Sequence, residues 1–167
     1  MRLLLLIAFV FISGSVAGQE IARNETDKYL KVKVKETTWE ALAMPFKNAL
    51  RFRCKMLDDR LYVEFRVTLH QAFRVDEGDE VYLLLDNDES VPVICVRGGV
   101  ANYDYAPSAS FWYGDYLYKI TDEQKQKFLE HKVVGARVDV GGEYVTFDKV
   151  KEKNAIKFQK ALTLVTQ

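Results

Sequence analysis

The densest run of chemically capable side chains lies between Arg97 and Tyr118. It opens with Gly98 and Gly99, continues through Asn102, Tyr103, Asp104, Tyr105 and Pro107, and ends in Phe111, Trp112, Tyr113, Tyr116 and Tyr118. Seven aromatics fall within residues 103–118, beside two carboxylates, Asp104 and Asp115. Aromatic faces stack on the C–H patches of sugar rings while carboxylates accept their hydroxyls. Tyrosine also offers a large amphipathic surface to protein partners. Tyr103, Asp104, Tyr105, Trp112, Asp115 and Tyr116 are therefore the candidate binding set, for a glycan or a protein. The competing reading is packing. Phe111, Tyr113 and Leu117 share one strand face and Trp112, Tyr116 and Tyr118 the other, so one set can belong to the core.

The same two carboxylates, Asp104 and Asp115, are the pair a small carbohydrate-active enzyme would use, and that mechanism depends on their separation. Other catalytic chemistry has little to build on. The mature chain has no Gly-x-Ser-x-Gly elbow, no Ser-x-x-Lys, no His-Glu-x-x-His and no phosphate-binding glycine loop. Only His70 and His131 offer imidazoles, and His131 suits the negative end of a helix.

Cys54 and Cys95 both fall inside predicted strands, and a disulfide between them is permitted in an exported protein. The alternative is two small buried apolar residues. Neither has a Cys or His at ligand spacing, so no metal site is expected. Asp86-Asn87-Asp88-Glu89 lacks the glycine of a calcium loop and reads as a tight hairpin turn. Lys31, Lys33, Lys35, Arg51, Arg53 and Lys55 alternate with apolar residues, and read as a solvated sheet face.

The elements that must position these groups are mostly strands. Leu30 to Val34, Leu50 to Met56 and Leu61 to Leu69 alternate apolar and polar residues with period two, as half-buried antiparallel strands do. Asp58-Asp59-Arg60 joins the last two runs as a hairpin. Val81 to Leu85 and Val91 to Val96 form a second hairpin. Its apolar character on both faces predicts central strands, with Pro92 near a strand start or an edge. Phe111 to Ile120 is a further strand, and Val133 to Val140 with Tyr144 to Phe147 a third hairpin.

Thr121 and Gln124 make a capping box for a helix running to about Lys132. Ala155, Phe158, Leu162 and Val165 fall at helical spacing in a last helix that begins between Asp148 and Asn154. The expectation is an α+β fold, predominantly antiparallel, with seven to eight strands and two short helices near the C-terminus.

Residues 1–18 read as a secretory leader. Met1-Arg2 precede ten apolar residues, Leu3 to Ile12, and the small residues Ser13, Gly14, Ser15, Ala17 and Gly18 follow. The apolar run is too short to span a bilayer, and no cysteine lies near the cut to carry a lipid. Residues 19–167 form one expected domain, exported to the periplasm or secreted, with no transmembrane segment. The full chain has 167 residues with 24 basic and 24 acidic side chains, a balance that argues against nucleic acid as partner.

From about residue 61 onward the order of elements has a familiar pattern. Its landmarks are Glu77-Gly78-Asp79-Glu80-Val81-Tyr82-Leu83-Leu84-Leu85-Asp86-Asn87, Ile120-Thr121-Asp122-Glu123-Gln124, Val134-Gly135-Ala136-Arg137-Val138 and Phe158-Gln159-Lys160-Ala161-Leu162. This pattern resembles a group of small uncharacterised exported proteins of Bacteroidota. The resemblance implies a bacterial envelope location and brings no site residue with it. The resulting expectation is a non-catalytic, cofactor-free interaction or ligand-binding module. The alternatives are a small carbohydrate-active enzyme and an assembly protein acting through sheet-edge pairing.

Overall fold

Alternating apolar residues need a partner layer, and this chain supplies it by curling one antiparallel sheet around its last helix. The structure, a computed structural model, describes residues 19–29, 31–45, 47–106 and 109–167. The expected leader, 1–18, lies outside them. Among the described residues the strands are β1 (Ile21–Thr26), β2 (Lys33–Thr37), β3 (Glu40–Ala43), β4 (Ala49–Leu57), β5 (Arg60–Leu69), β6 (Arg74–Val75) and β7 (Glu80–Leu85). There follow β8 (Ser90–Arg97), β9 (Gly99–Val100), β10 (Asn102–Ala106), β11 (Ala109–Lys119), helix α1 (Asp122–Glu130), β12 (Val133–Asp139), β13 (Tyr144–Phe147) and helix α2 (Glu152–Thr166).

The β-rich antiparallel architecture agrees with the sequence pattern, but the strands among the described residues number thirteen rather than seven to eight. The additional ones are β1, β3, β6, β9 and β10, and none of them carries a long apolar alternation. β6 and β9 are two-residue pairings, and β10 is an exposed hairpin arm. Such segments become strands because a neighbour offers hydrogen bonds, which periodicity does not reveal. Only α2 stands at the C-terminus, and at 15 residues it is not short.

The main sheet runs β1-β2-β4-β5-β11-β8-β7-β12-β13, with β3 also on β4 and β10 also on β11. Four strands separate β4 from β12. A flat sheet would place those two about 24 Å apart. Helix α2 packs against β2, β3 and β4 and also against β12, although a helix is only about 10–12 Å across. The sheet is therefore strongly curled, with α2 inside the curve. The seam lies where β3 approaches the chain after β13. Asn154 donates to the Leu42 carbonyl at 3.0 Å and Lys157 meets Glu40 at 2.8 Å, fastening α2 to β3.

The concave face carries the core. Leu50, Phe52 and Cys54 on β4, Val63, Phe65 and Val67 on β5, and Val81, Leu83 and Leu85 on β7 are all fully buried. They meet Ala155, Phe158, Leu162 and Val165, the stripe expected from helical spacing. The capping box of α1 is formed. Gln124 N donates to Thr121 Oγ1 at 3.2 Å, and Thr121 N donates to Gln124 Oε1 at 2.9 Å.

Among the described residues no helix covers the convex face of β7 and β8. β7 and β8 are central, as their apolar composition predicts, yet Leu84 and Ile94 stand 39 % and 51 % exposed on it. Pro92 sits near the start of β8, before that strand begins to pair with β11 at Ile94. Its carbonyl accepts a hydrogen bond from Gln124 Nε2 at 2.6 Å.

Candidate functional site

β10 and the first part of β11 form a hairpin of its own register, Tyr103 opposite Trp112, Asp104 opposite Phe111 and Tyr105 opposite Ser110. β10 has no other strand partner among the described residues, so the arm presents an open edge. Tyr103 and Tyr105 lie on one face of it, two residues and so about 7 Å apart along the strand. They are 53 % and 74 % exposed. The Tyr103 ring stands 5.0 Å from that of Trp112, tilted by 48°. Trp112 is half-buried against the core, which holds Tyr103 in place. Asp104 is exposed on the opposite face of the arm. The result is an exposed tyrosine pair, one ring of which is braced by an indole.

The other members of the expected set are elsewhere. Tyr116 is a core residue, 1 % exposed, with its ring 6.0 Å from Phe73. It folds back over Gly114, where any Cβ would overlap its hydroxyl. That removes Tyr116 from the ligand set: its strand parity is that of the concave face, where Tyr118 is buried with it. Burial raises the pKa of both phenols.

Asp115 is held by Arg66, which donates Nε to Oδ1 at 2.6 Å and Nη2 to Oδ2 at 2.7 Å. Asp104 faces Phe111, four residues along β11 from Asp115. That spacing puts about 13 Å of strand between the two carboxylates. Glycosidase carboxylates stand roughly 5–9.5 Å apart. The two do not form that constellation.

Arg66 belongs to a convex-face network that the alternating cations did not foretell. Arg53 and Arg66 both place guanidiniums over the Trp39 ring, each 4.6 Å from its centroid. Glu64, 2 % exposed, is reached by Arg53 at 2.5 Å, Lys55 at 2.8 Å and Arg97 at 2.5 Å. Burial alone would raise the Glu64 pKa, but the hydrogen bonds and charges of Lys55 and Arg53 outweigh it and hold the carboxyl below its ordinary value. Arg53 and Lys55 are thus engaged inside the sheet face rather than offered as a basic patch.

The cysteines stay apart. Cys54 pairs with Val63, Val63 with Tyr118 and Tyr118 with Cys95, so three strand spacings separate them. Those spacings amount to about 14 Å. A disulfide needs Cα atoms within about 7 Å. Both thiols are free and buried, so of the two readings the packing role holds and the possible disulfide does not form. Desolvation pushes Cys95 up to about 11 and raises Cys54 as well. Native protein at mildly alkaline pH is expected to resist iodoacetamide and to take up two alkyl groups once unfolded, as mass spectrometry will show.

Two concavities lie elsewhere on the described surface. One, about 540 Å³, occupies the seam and is rimmed by Lys149, Lys151, Lys153 and the Glu40–Lys157 pair. The other, about 420 Å³, lies on the convex side of β7, β12 and β13. Its aromatic walls, Tyr82 and Tyr144, come from two hairpins that the sequence presents only as strand arms. Their one shared signal is a tyrosine beside a valine in a strand, which does not identify a site. Comparison with protein-family models, with curated proteins and with solved structures finds no match for this chain.

Proposed function

We propose that this chain is an exported, non-catalytic binding module of the bacterial envelope, and that the β10–β11 hairpin is its contact surface, with glycan the favoured ligand. The observation that carries the reading is the exposed pair Tyr103 and Tyr105 on an otherwise unpartnered arm, with Trp112 bracing Tyr103 at 5.0 Å. A ring held by packing, as Tyr103 is against Trp112, loses little entropy when a sugar stacks on it, so its binding energy is not consumed in ordering. Asp104 can reach a ligand only around the edge of the arm, so the aromatic pair is the primary contact. The reading needs no cofactor. Its envelope location rests on the leader-like residues 1–18 and on the resemblance to exported proteins of Bacteroidota. No helix among the described residues is long and apolar enough to cross a membrane.

The test is a glycan array on residues 19–167, followed by titration of any hit. Tyr103→Ala and Tyr105→Ala are each expected to weaken binding by about 1–2 kcal/mol, roughly tenfold, with unfolding free energy changed by less than about 0.5 kcal/mol. Wild-type affinity in both variants would remove the hairpin from the binding surface. Loss of a concentration-dependent dimer in the same variants would instead favour pairing through the open β10 edge.

A further inference from the structure

The convex-side cavity over β7, β12 and β13 has three properties that an ordinary surface dent lacks. First, two aromatic rings stand at its wall in fixed geometry. Tyr82 and Tyr144 meet edge to face at 6.3 Å and 64°, and the Arg137 guanidinium lies 5.8 Å from the Tyr144 ring. The Tyr82 hydroxyl is anchored on Glu80, which fixes that ring further.

Second, four polar side chains that line it hold hydrogen-bonding groups that are free of the protein, although the Arg137 guanidinium also rests against the Tyr144 ring. Ser90, Arg137, Thr146 and Asp148 line the cavity, yet no side-chain hydrogen bond or ion pair holds any of them among the described residues. Arg137 and Asp148 share one cavity without pairing to each other. Elsewhere on the surface, carboxylates with a cation in reach have taken it, as Glu89 has taken Lys127 at 2.7 Å and Glu152 has taken Lys132 at 2.7 Å.

Third, a glycine forms part of the floor. Gly135 lies within β12 opposite Leu84, beside a register shift in the ladder. A Cβ there would meet Leu84 Cβ at 3.6 Å and the Phe147 carbonyl at 3.5 Å, which is ordinary contact. Neither a clash nor a left-handed backbone demands glycine at this position. What its missing side chain leaves is room on the convex side, and glycine inside a strand often marks close approach of a ligand.

We propose that this cavity is a saccharide subsite, taking one pyranose ring stacked on Tyr144 and bounded by Tyr82, with Arg137 donating to its hydroxyl oxygens and Asp148 accepting from its hydroxyls. The lining carries one cation and one anion, so no net charge favours an ionic ligand. Free donors and acceptors beside aromatic faces match a neutral ring that has hydroxyls at its edge and C–H groups on its face. The cavity measures about 420 Å³. That size is within the range of small-ligand pockets. The site lies on β7, β12 and β13, whereas the hairpin of the proposed function extends from β11, so either can hold without the other.

The experiment is an amide-resolved NMR titration of residues 19–167 with the methyl glycosides of glucose, galactose and mannose and with N-acetylglucosamine, glucuronate serving as the charged control. Saturable shifts are expected at Gly135, Arg137, Tyr144 and Thr146 with at least one neutral sugar, and they should persist in Tyr103→Ala. Arg137→Ala and Tyr144→Ala, both at exposed positions, should each weaken that binding at least about tenfold with little change in thermal midpoint. Gly135→Ala, whose methyl group the backbone and packing accept, should also weaken it by narrowing the floor. The proposal is overturned if no neutral sugar shifts these amides, or if glucuronate alone does so. Shifts confined to Tyr103 and Tyr105 would overturn it while supporting the hairpin.

Discussion

Glu64→Ala is expected to cost about 3–5 kcal/mol of unfolding free energy, the range for removing one partner from a buried ionic cluster. Glu64 is 2 % exposed and is contacted by Arg53, Lys55 and Arg97. Truncation leaves Arg53 and Lys55 with Glu36 as their one remaining carboxylate among the described residues, 3.3 Å from each. Three cations held close together would then face one carboxylate. A marginally stable domain of about 5–15 kcal/mol loses a large share of its reserve in that way. Urea unfolding measures it directly, through a lower midpoint at unchanged slope. A midpoint within error of wild type would mean that the cluster behaves as a solvated surface group.

The same cluster sets a pH dependence. The folded pKa of Glu64 is depressed. Its stabilisation is therefore present above the ordinary carboxylate value of about 4.3 and is lost as pH falls through the lower folded value. Wild-type protein should lose stability on acidification below roughly pH 4.5 more steeply than Glu64→Gln. Parallel acid profiles for the two proteins would assign the acid sensitivity to other carboxylates, of which Asp86 and Glu89 also have lowered values.

The second large effect lies in the core. Phe158 on α2 meets Phe52 of β4 at 5.1 Å and Phe128 of α1 at 5.7 Å, edge to face in both cases. It is the one side chain in contact with both the sheet and the other helix through aromatic packing among the described residues. Phe158→Ala is expected to destabilise by about 3–5 kcal/mol, from lost transfer free energy and the cavity left between three elements. The helix cannot collapse to fill that space, because Asn154 and Lys157 fasten it to β3 and Gln159 to the carbonyls of Phe128 and Leu129. Phe158→Leu should recover part of the loss. A small change in both variants would mean that α2 is not part of the cooperative core.

Much of the fold was legible because its causes are local. The alternation over Leu61 to Leu69 became β5, the Asp86–Glu89 segment became a turn, and the Thr121–Gln124 box became the start of α1. Each depends on side chains a few residues apart. The shift of the first strand to Lys33–Thr37 and the presence of β1 were not legible, since those segments become strands by pairing with each other. The candidate site was legible in part for the same reason. Tyr103, Tyr105 and Trp112 were singled out by density of aromatics, and the hairpin brings them together. Tyr116 carried the same composition signal and belongs to the core, because parity alone does not say which face a helix will cover.

Local pattern was therefore enough for the antiparallel, strand-dominated class, the main hairpins, the capping box of α1 and the buried stripe of α2. Strand neighbours, the depth of the curl and the pairing of cations with carboxylates emerge only once the chain is folded. Arg66 and Asp115 are 49 residues apart in the chain, and Arg97 and Glu64 are 33 apart. The pairing of β5 with β11 and of β11 with β8 makes them neighbours. The same ladders place three strand spacings between Cys54 and Cys95, and the pairing of β7 with β12 brings Tyr82 to the side of Arg137 over a glycine floor. Period and turn chemistry are encoded within a few residues. Strand order and curvature are set by long-range hydrogen bonding and by the volume of α2 that the sheet must enclose, and no local pattern records them.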